Sequence, residues 1–343
     1  MKKIEIYSSD ISKTQKECLL GQFPFLFKGT GINKKNFKLT MENNVQPRIV
    51  YHYTTMKTLQ TILERIEYEV NKALIGTSLN SFVLRGTHIE FLNDVMEFKL
   101  ASRLMADLIK KYELSLDEKS NKHISKKLDE NYWKQFATFL GLMTPPFITS
   151  FSENSDSLPM WKAYGHDGKG VAIGIEKTPM NKTSFNSNSG FPVWVKCSYD
   201  SKRLRDIFSL GIAEVYKIFE SEDDKLTVKG FPDFVSLSAY FSMLKNFAYE
   251  YEHEWRLVKN YAVSNTEKEI YFQEKDGFLR PYVEHFLPNN FLKEIIIGPS
   301  SDYEISKKSI KMSLERAGYS VNRKTKDKHL VKIKTSKIPF RHI

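Results

Sequence analysis

The chain has 343 residues, 41% hydrophobic and 13% aromatic, enough apolar material for one large domain or two modest ones, which excludes a wholly disordered protein. No apolar run approaches the roughly 18 residues that span a bilayer, Lys2 and Lys3 have no apolar stretch behind them, and two cysteines are too few for a disulfide framework, so the expected setting is the reducing cytoplasm, with no membrane partner. A net charge of +11 points instead to an anionic partner, because clustered Lys and Arg gain affinity for a phosphate backbone by releasing counterions; a scattered, solvated surface is the plain alternative.

Residues 1–45 mix polar segments with the aromatic patch "GQFPFLFKGTG", expected to form an extension packed on a main domain over 46–343. Val50 to Thr54 predicts a strand, and "TMKTLQTILERI" sets Met56, Leu59, Ile62, Leu63 and Ile66 on one helical face with Thr54 or Thr55 as cap. "ALIGTSLNSFV" predicts a turn and a short strand. "DVMEFKLASRLMADLIKKY" and "NYWKQFATFLGLM" predict helices that stop at Pro145 and Pro146. "FITSFS" is then a strand, "SDSLPMWKAYG" a short helix with a Ser or Asp cap, and "GKGVAIGIE" and "PVWVKCSYD" are strands. "LRDIFSLGIAEVYKIFE" and "VSLSAYFSMLKNFAYE" read as helices, "EHEWRLVKNY" and "LKEIIIGP" as strands, and "SKKSIKMSLERAG" as a helix closed by Gly318. The tail from Arg323 to Arg341 holds eight Lys/Arg against one acid, Asp327, with apolar residues between them, predicting a strand with one cationic face. Short strands divided by helices of uneven length predict an α+β fold, one domain with helical insertions near 94–145 and 203–250 and a basic C-terminal segment, 323–343.

The densest chemistry lies in "YEYEHEWRLV". Read as a strand, it projects Glu252, Glu254 and Arg256 to one side and His253, Trp255 and Leu257 to the other. Trp255 and Leu257 suit a core face, which leaves two carboxylates and a guanidinium together. Two readings are open: a solvated face neutralised by Arg256, or a carboxylate held to bind a sugar hydroxyl or stabilise a cationic transition state. The segment lacks the second histidine of a helical zinc-protease motif, and the eight histidines are scattered without ligand spacing, so no metal is expected. In "SFSENSDSLPMWKAYGHDGKGVAIGI", Ser150 and Ser152 share a strand face while Met160, Trp161 and Tyr164 crowd a short helix, as core or as rings that stack on a planar ligand. "GHDGKG" lacks the spacing and the Lys-Ser/Thr ending of a P-loop, which excludes ATP binding through it. Asn93 and Asp94 either cap the helix that follows or shape the rim of a site.

Together "YHYTT" with its helix, "FLNDVMEF", "SFSENSDSLPMWKAYGHDGKGVAIGI" and "YEHEWRLV" resemble a large bacterial family of domains of unknown function, over about residues 51–299. That family is in turn similar to the ADP-ribosyltransferase superfamily, and "YHYTTMKTLQTIL" resembles the first NAD-binding strand of DNA-modifying toxins and of poly(ADP-ribose) polymerases. The resemblance implies a split mixed β-sheet with helical insertions, NAD as substrate and no metal. It implies that His52, on the NAD-binding strand with Tyr53, hydrogen-bonds the adenosine ribose, and that Ser152 lines the nicotinamide pocket. Tyr164 or Trp161 would supply the ring against nicotinamide, Glu254 would bind the nicotinamide-ribose 2′-hydroxyl, and Glu252 would face the acceptor. The strand "VAIGI" departs from the polymerase pattern, lacking its tyrosine. The implied acceptor is RNA or single-stranded DNA, in a toxin neutralised by an antitoxin protein or acting in antiphage defence. A protein-modifying transferase and an inactive module that binds nucleic acid or nucleotide are the alternatives.

Overall fold

Strand β1 (Ile49–Thr54) and helix α1 (Met56–Ala73) form where the pattern places them. Thr55 is the cap, its hydroxyl accepting the Thr58 amide at 3.1 Å. Leu59, Ile62, Leu63 and Ile66 are all buried, each worth about 1.5–3 kcal/mol of apolar burial. The structure, a computed structural model, describes residues 48–73, 81–92, 97–115, 146–177, 192–200, 242–260, 269–275, 277–323 and 329–340. The N-terminal extension, the helices predicted at "NYWKQFATFLGLM" and "LRDIFSLGIAEVYKIFE", and the Asn93-Asp94 cap lie outside those residues.

The other described elements follow in chain order as β2 (Ser81–His88), α2 (Glu97–Glu113), β3 (Pro146–Ser152), α3 (Leu158–Ala163), β4 (Val171–Glu176) and β5 (Val193–Lys196). Then come β6 (Glu254–Asn260), β7 (Tyr271–Lys275), β8 (Phe278–Pro288), β9 (Leu292–Ile297), α4 (Tyr303–Arg316), β10 (Ser320–Val321) and β11 (Leu330–Thr335). The strands join an 11-stranded sheet in the order β10-β11-β9-β4-β1-β3-β2-β8-β7, with β6 on β3 and β5 on β6. β11 runs parallel to β9 and to β10, and the other pairs are antiparallel, so the sheet is mixed and the fold is α+β.

One sheet face is apolar: Phe151, Ile173, Trp255, Leu257 and Ile295 pack with α1 and with Ile310 and Leu314 of α4 in one cluster. α4 stops where predicted, at Gly318 with φ +88°. On the other face α3 lays Met160 and Trp161 against Tyr53, Ala172 and Ile296. Gly170 follows α3 because a Cβ there would lie 2.1 Å from the Thr54 carbonyl oxygen; the "GHDGKG" glycines serve close packing and a tight turn. The amides of Gly165, Gly168, Lys169 and Gly170 all bond carbonyls within this segment, which leaves them no phosphate to cradle.

Two expectations fail here. The described part of "VSLSAYFSMLKNFAYE" is not α-helical: Ser242 to Leu244 form a turn with a bridge to Ser198, and Phe247–Glu252 is a 3-10 helix capped by Asn246. A hairpin, β7–β8, appears where no element was expected.

Candidate functional site

β3 is bordered unequally. Along one edge β6 pairs with its whole length, from Pro146 opposite Asn260 to Ser152 opposite Glu254. Along the other, β2 takes only Phe147 and Ile148, and β1 only Ser152. Between those contacts the sheet splits, and His52 fills the gap, its Nδ1 bonding the Ser150 carbonyl at 2.9 Å. A carbonyl can only accept, so Nδ1 carries the proton. Burial pushes the imidazole pKa below its ordinary value, against the Ser150 carbonyl and with help from the Lys275 charge. The ring is therefore neutral near pH 7 and holds an acceptor lone pair on Nε2.

A cleft of about 160 Å³ opens over this split. His52, Tyr53, Tyr164, Glu252 and Glu254 line it together with Lys245, Arg256, Lys275 and Arg280. Its volume is smaller than the roughly 300–1,000 Å³ of pockets that swallow a whole drug-sized ligand. It suits one ring or one sugar of a longer molecule.

The acidic pair reaches the cleft by a route different from the one expected. β6 begins at Glu254; Glu252 ends the preceding 3-10 helix, and His253 between them adopts φ 43°, ψ 54°. That left-handed residue breaks the alternation, so Glu252 does not share a strand face with Glu254 and Arg256. The two carboxylates still converge, because Lys245 gathers them: its Nζ donates to Glu252 and lies 2.7 Å from Glu254 Oε2. Arg256 Nη2 donates to the same Oε2 at 2.9 Å, and Nη1 to the Ser242 carbonyl at 2.7 Å. The Tyr164 hydroxyl donates to Glu252 Oε1 at 2.7 Å.

All of this lies out of bulk water: Glu252, Glu254, Arg256 and Lys245 are buried. Burial alone would raise the Glu254 carboxyl; Arg256 and then Lys245 outweigh it and hold the pKa down at about 2. Burial likewise works to lower the Lys245 pKa, yet Glu254 and Glu252 overcome it, with Arg256 opposing, and the pKa rises. Both partners are ionised near neutrality. Among the described residues, every hydrogen bond to the Glu254 carboxylate falls on Oε2, which leaves Oε1 for a ligand.

Ser152 and Trp161 stand behind the cleft. The Ser152 hydroxyl donates to the Glu252 carbonyl at 2.7 Å and accepts the Asn154 amide at 3.0 Å, so it fixes the turn that presents Glu252. Trp161, fully buried, meets Tyr53 edge-on at 4.8 Å and donates to Asp156. Its ring is core, and Tyr164, one turn on, is the ring that faces the cleft. The Tyr53 hydroxyl is engaged with the Asn154 carbonyl and the Ser157 amide. Sequence reasoning missed Lys245, which lies inside the segment expected to be a helix, and it missed Lys275 and Arg280. The hairpin carrying these last two was signalled by Asp276-Gly277 between two β-rich runs.

Among the described residues no three His, Cys, Asp or Glu side chains group to hold a metal ion, and no helix is long and apolar enough to cross a membrane. Residues 160–257 match the family described as "Protein of unknown function (DUF2971)". The matched stretch includes Trp161, Tyr164, Lys245, Glu252 and Glu254, and it supports the resemblance to a domain family of unknown function there. No curated protein and no solved structure matches the chain.

Proposed function

We propose that this protein is an NAD-dependent ADP-ribosyltransferase whose acceptor is nucleic acid, RNA or single-stranded DNA. The observation that carries the reading is the convergence of His52, Tyr164, Glu252 and Glu254, from three distant segments, on one cleft at a split in the sheet. Each offers what the reaction needs. Neutral His52 accepts a hydrogen bond from a ribose hydroxyl through Nε2. The Tyr164 ring bounds the space for nicotinamide. Ionised Glu254 directs Oε1 at the sugar bearing the scissile bond.

In the reaction the bond between C1′ of the ribose and the nicotinamide nitrogen breaks, and its electron pair leaves with nicotinamide, neutralising the pyridinium. Positive charge develops on the ribose, where a fixed carboxylate stabilises it without reorganisation. A lone pair of the acceptor base then bonds C1′, and the displaced acceptor proton passes to Glu252 or to water. Held positions of cofactor and acceptor supply the remainder of the rate. The toxin role and a neutralising partner protein rest on the sequence resemblance alone.

One observation favours a second reading, a module that binds a nucleotide without turning it over: Lys245 touches both carboxylates and balances their charge. Glu254→Gln separates the two. With radiolabelled NAD, the purified chain is expected to label RNA or single-stranded DNA, and Glu254→Gln to lower the rate about a hundredfold to a thousandfold while still binding NAD. Label on protein alone would reject the acceptor. NAD binding without any turnover by the unaltered chain would reject the enzyme.

A further inference from the structure

The β7–β8 hairpin borders the cleft and carries four of the nine exposed large hydrophobic residues found among the described residues: Tyr271, Phe272, Phe278 and Leu279. The cross-strand register divides them. Tyr271 stands opposite Tyr282 and Lys275 opposite Phe278, with Gln273 opposite Arg280 between them, so these six side chains share one face. Phe272 and Leu279 project from the other.

The shared face is an alternation of rings and cations. Tyr271 stacks on Tyr282 at 5.6 Å and 31°, and the Arg85 guanidinium lies 4.6 Å from the centre of the Tyr282 ring. The Arg280 guanidinium lies 4.8 Å from the Phe278 ring, which in turn neighbours Phe91 at 6.3 Å. Lys275, which makes no ion pair among the described residues, lines the cleft with Arg280, and its charge reaches His52. Of the hairpin's described acids, Glu274 lies on the opposite face and accepts the Gly277 amide, while Glu284 shares this face beyond Tyr282 and pairs with Arg65 at 3.5 Å. Tyr271 and Phe278 remain 44% and 46% exposed, and neighbouring exposed rings of this kind mark interaction surfaces.

We propose that this face is the docking platform for the acceptor strand: bases of a single-stranded nucleic acid stack on Tyr271 and Phe278 while Lys275 takes a phosphate at the cleft mouth. Rings interleaved with cations are how single strands are held without sequence readout. Stacking on an open hairpin also delivers an unpaired base to the reacting sugar, which a duplex cannot do without extruding it. The inference rests on the transferase reading for what happens after docking. Docking itself is measured without NAD, so the two fail separately.

The experiment is fluorescence anisotropy of the full chain with labelled RNA and DNA 12-mers of one sequence and with the corresponding duplex. The single strands are expected to bind more tightly than the duplex, and the better of RNA and DNA identifies the acceptor sugar. Tyr271→Ala/Phe278→Ala is expected to weaken single-strand binding about tenfold or more. Lys275→Gln is expected to reduce the log–log salt slope by about 0.7. Phe272→Ala, on the opposite face, is expected to change neither, and circular dichroism with urea midpoints checks that each variant is folded. Equal binding of duplex and single strand, or unchanged affinity in folded Tyr271→Ala/Phe278→Ala, overturns the proposal. So does sedimentation showing that the rings instead pair two copies of this chain along the β7 edge.

Discussion

Lys245 shows how one side chain decides whether an acidic cluster can exist. Two carboxylates and a guanidinium are buried beside it, and the ammonium contacts both acids. Breaking a buried pair by removing one partner costs about 3–5 kcal/mol, because the charge left behind has lost water as well as its partner. Lys245→Met is therefore expected to destabilise the fold by about that amount, with a urea midpoint as the readout. Lys245→Met/Glu252→Gln removes one stranded charge and is expected to recover part of the loss; a double variant no more stable than the single one would show that Lys245 acts through packing. Glu254 keeps Arg256 in both variants, so its carboxylate remains partnered.

At the scale of elements, α3 is a six-residue helix that owes its position to what is tied around it. Asp156 accepts three hydrogen bonds: from Trp161 Nε1 at 2.7 Å, from the Ser336 hydroxyl at 2.6 Å and from the Lys337 amide at 2.7 Å. The segment after β11 is thereby strapped to the helix whose C-terminal cap is Tyr164, with Ile338 packed on the same cluster. Asp156→Ala is expected to cost about 2–4 kcal/mol, since hydrogen bonds to a charged group are worth about 1.5–3 kcal/mol each and some are replaced by water. Hydrogen exchange is expected to quicken at residues 336–340 and 158–164 together; faster exchange at the terminal segment alone would show that α3 does not depend on the strap. Elements with strong local patterning were legible in the sequence: α1 by its apolar spacing, α4 by its glycine stop, β11 by lysines alternating with Val331 and Ile333. Where the chain turns against its own pattern, local reading failed. The left-handed His253 splits an apparent Glu-x-Glu strand, and the helical pattern before Lys245 runs into a turn at Ser242–Leu244 that is held by the distant Ser198. Trp161 and Tyr164 stand as alternatives in the sequence because periodicity cannot say which of two aromatics one turn apart reaches the core.

Over the whole molecule, the ionisable groups buried by the sheet make stability a function of pH. His285, on β8, is buried against Thr149 and Gly86; burial first, and then the Lys259 charge, lower its pKa to about 3. His52 is lowered as well. For both, the unfolded chain takes up protons from about pH 6.5 downward that the fold refuses, so stability present above that pH is lost as pH falls. Glu254 adds loss in the same direction in a lower window, between its ordinary value of 4.5 and about 2. Lys245, raised, protects the fold below its ordinary 10.5 and withdraws that contribution only at still higher pH. The expected profile falls on acidification below about pH 6.5, before any carboxylate titrates. His285, neutral in the fold throughout this range, contributes about 1.4 kcal/mol per pH unit to that slope, and His52 adds to it in the same direction. His285→Gln takes one such group away, and urea midpoints between pH 5 and 6.5 are expected to lose about that much of their pH dependence, whatever the substitution does to stability at pH 8. An unaltered slope would mean that His285 gains a proton inside the fold, and the acid sensitivity would then belong to His52 and the split in the sheet.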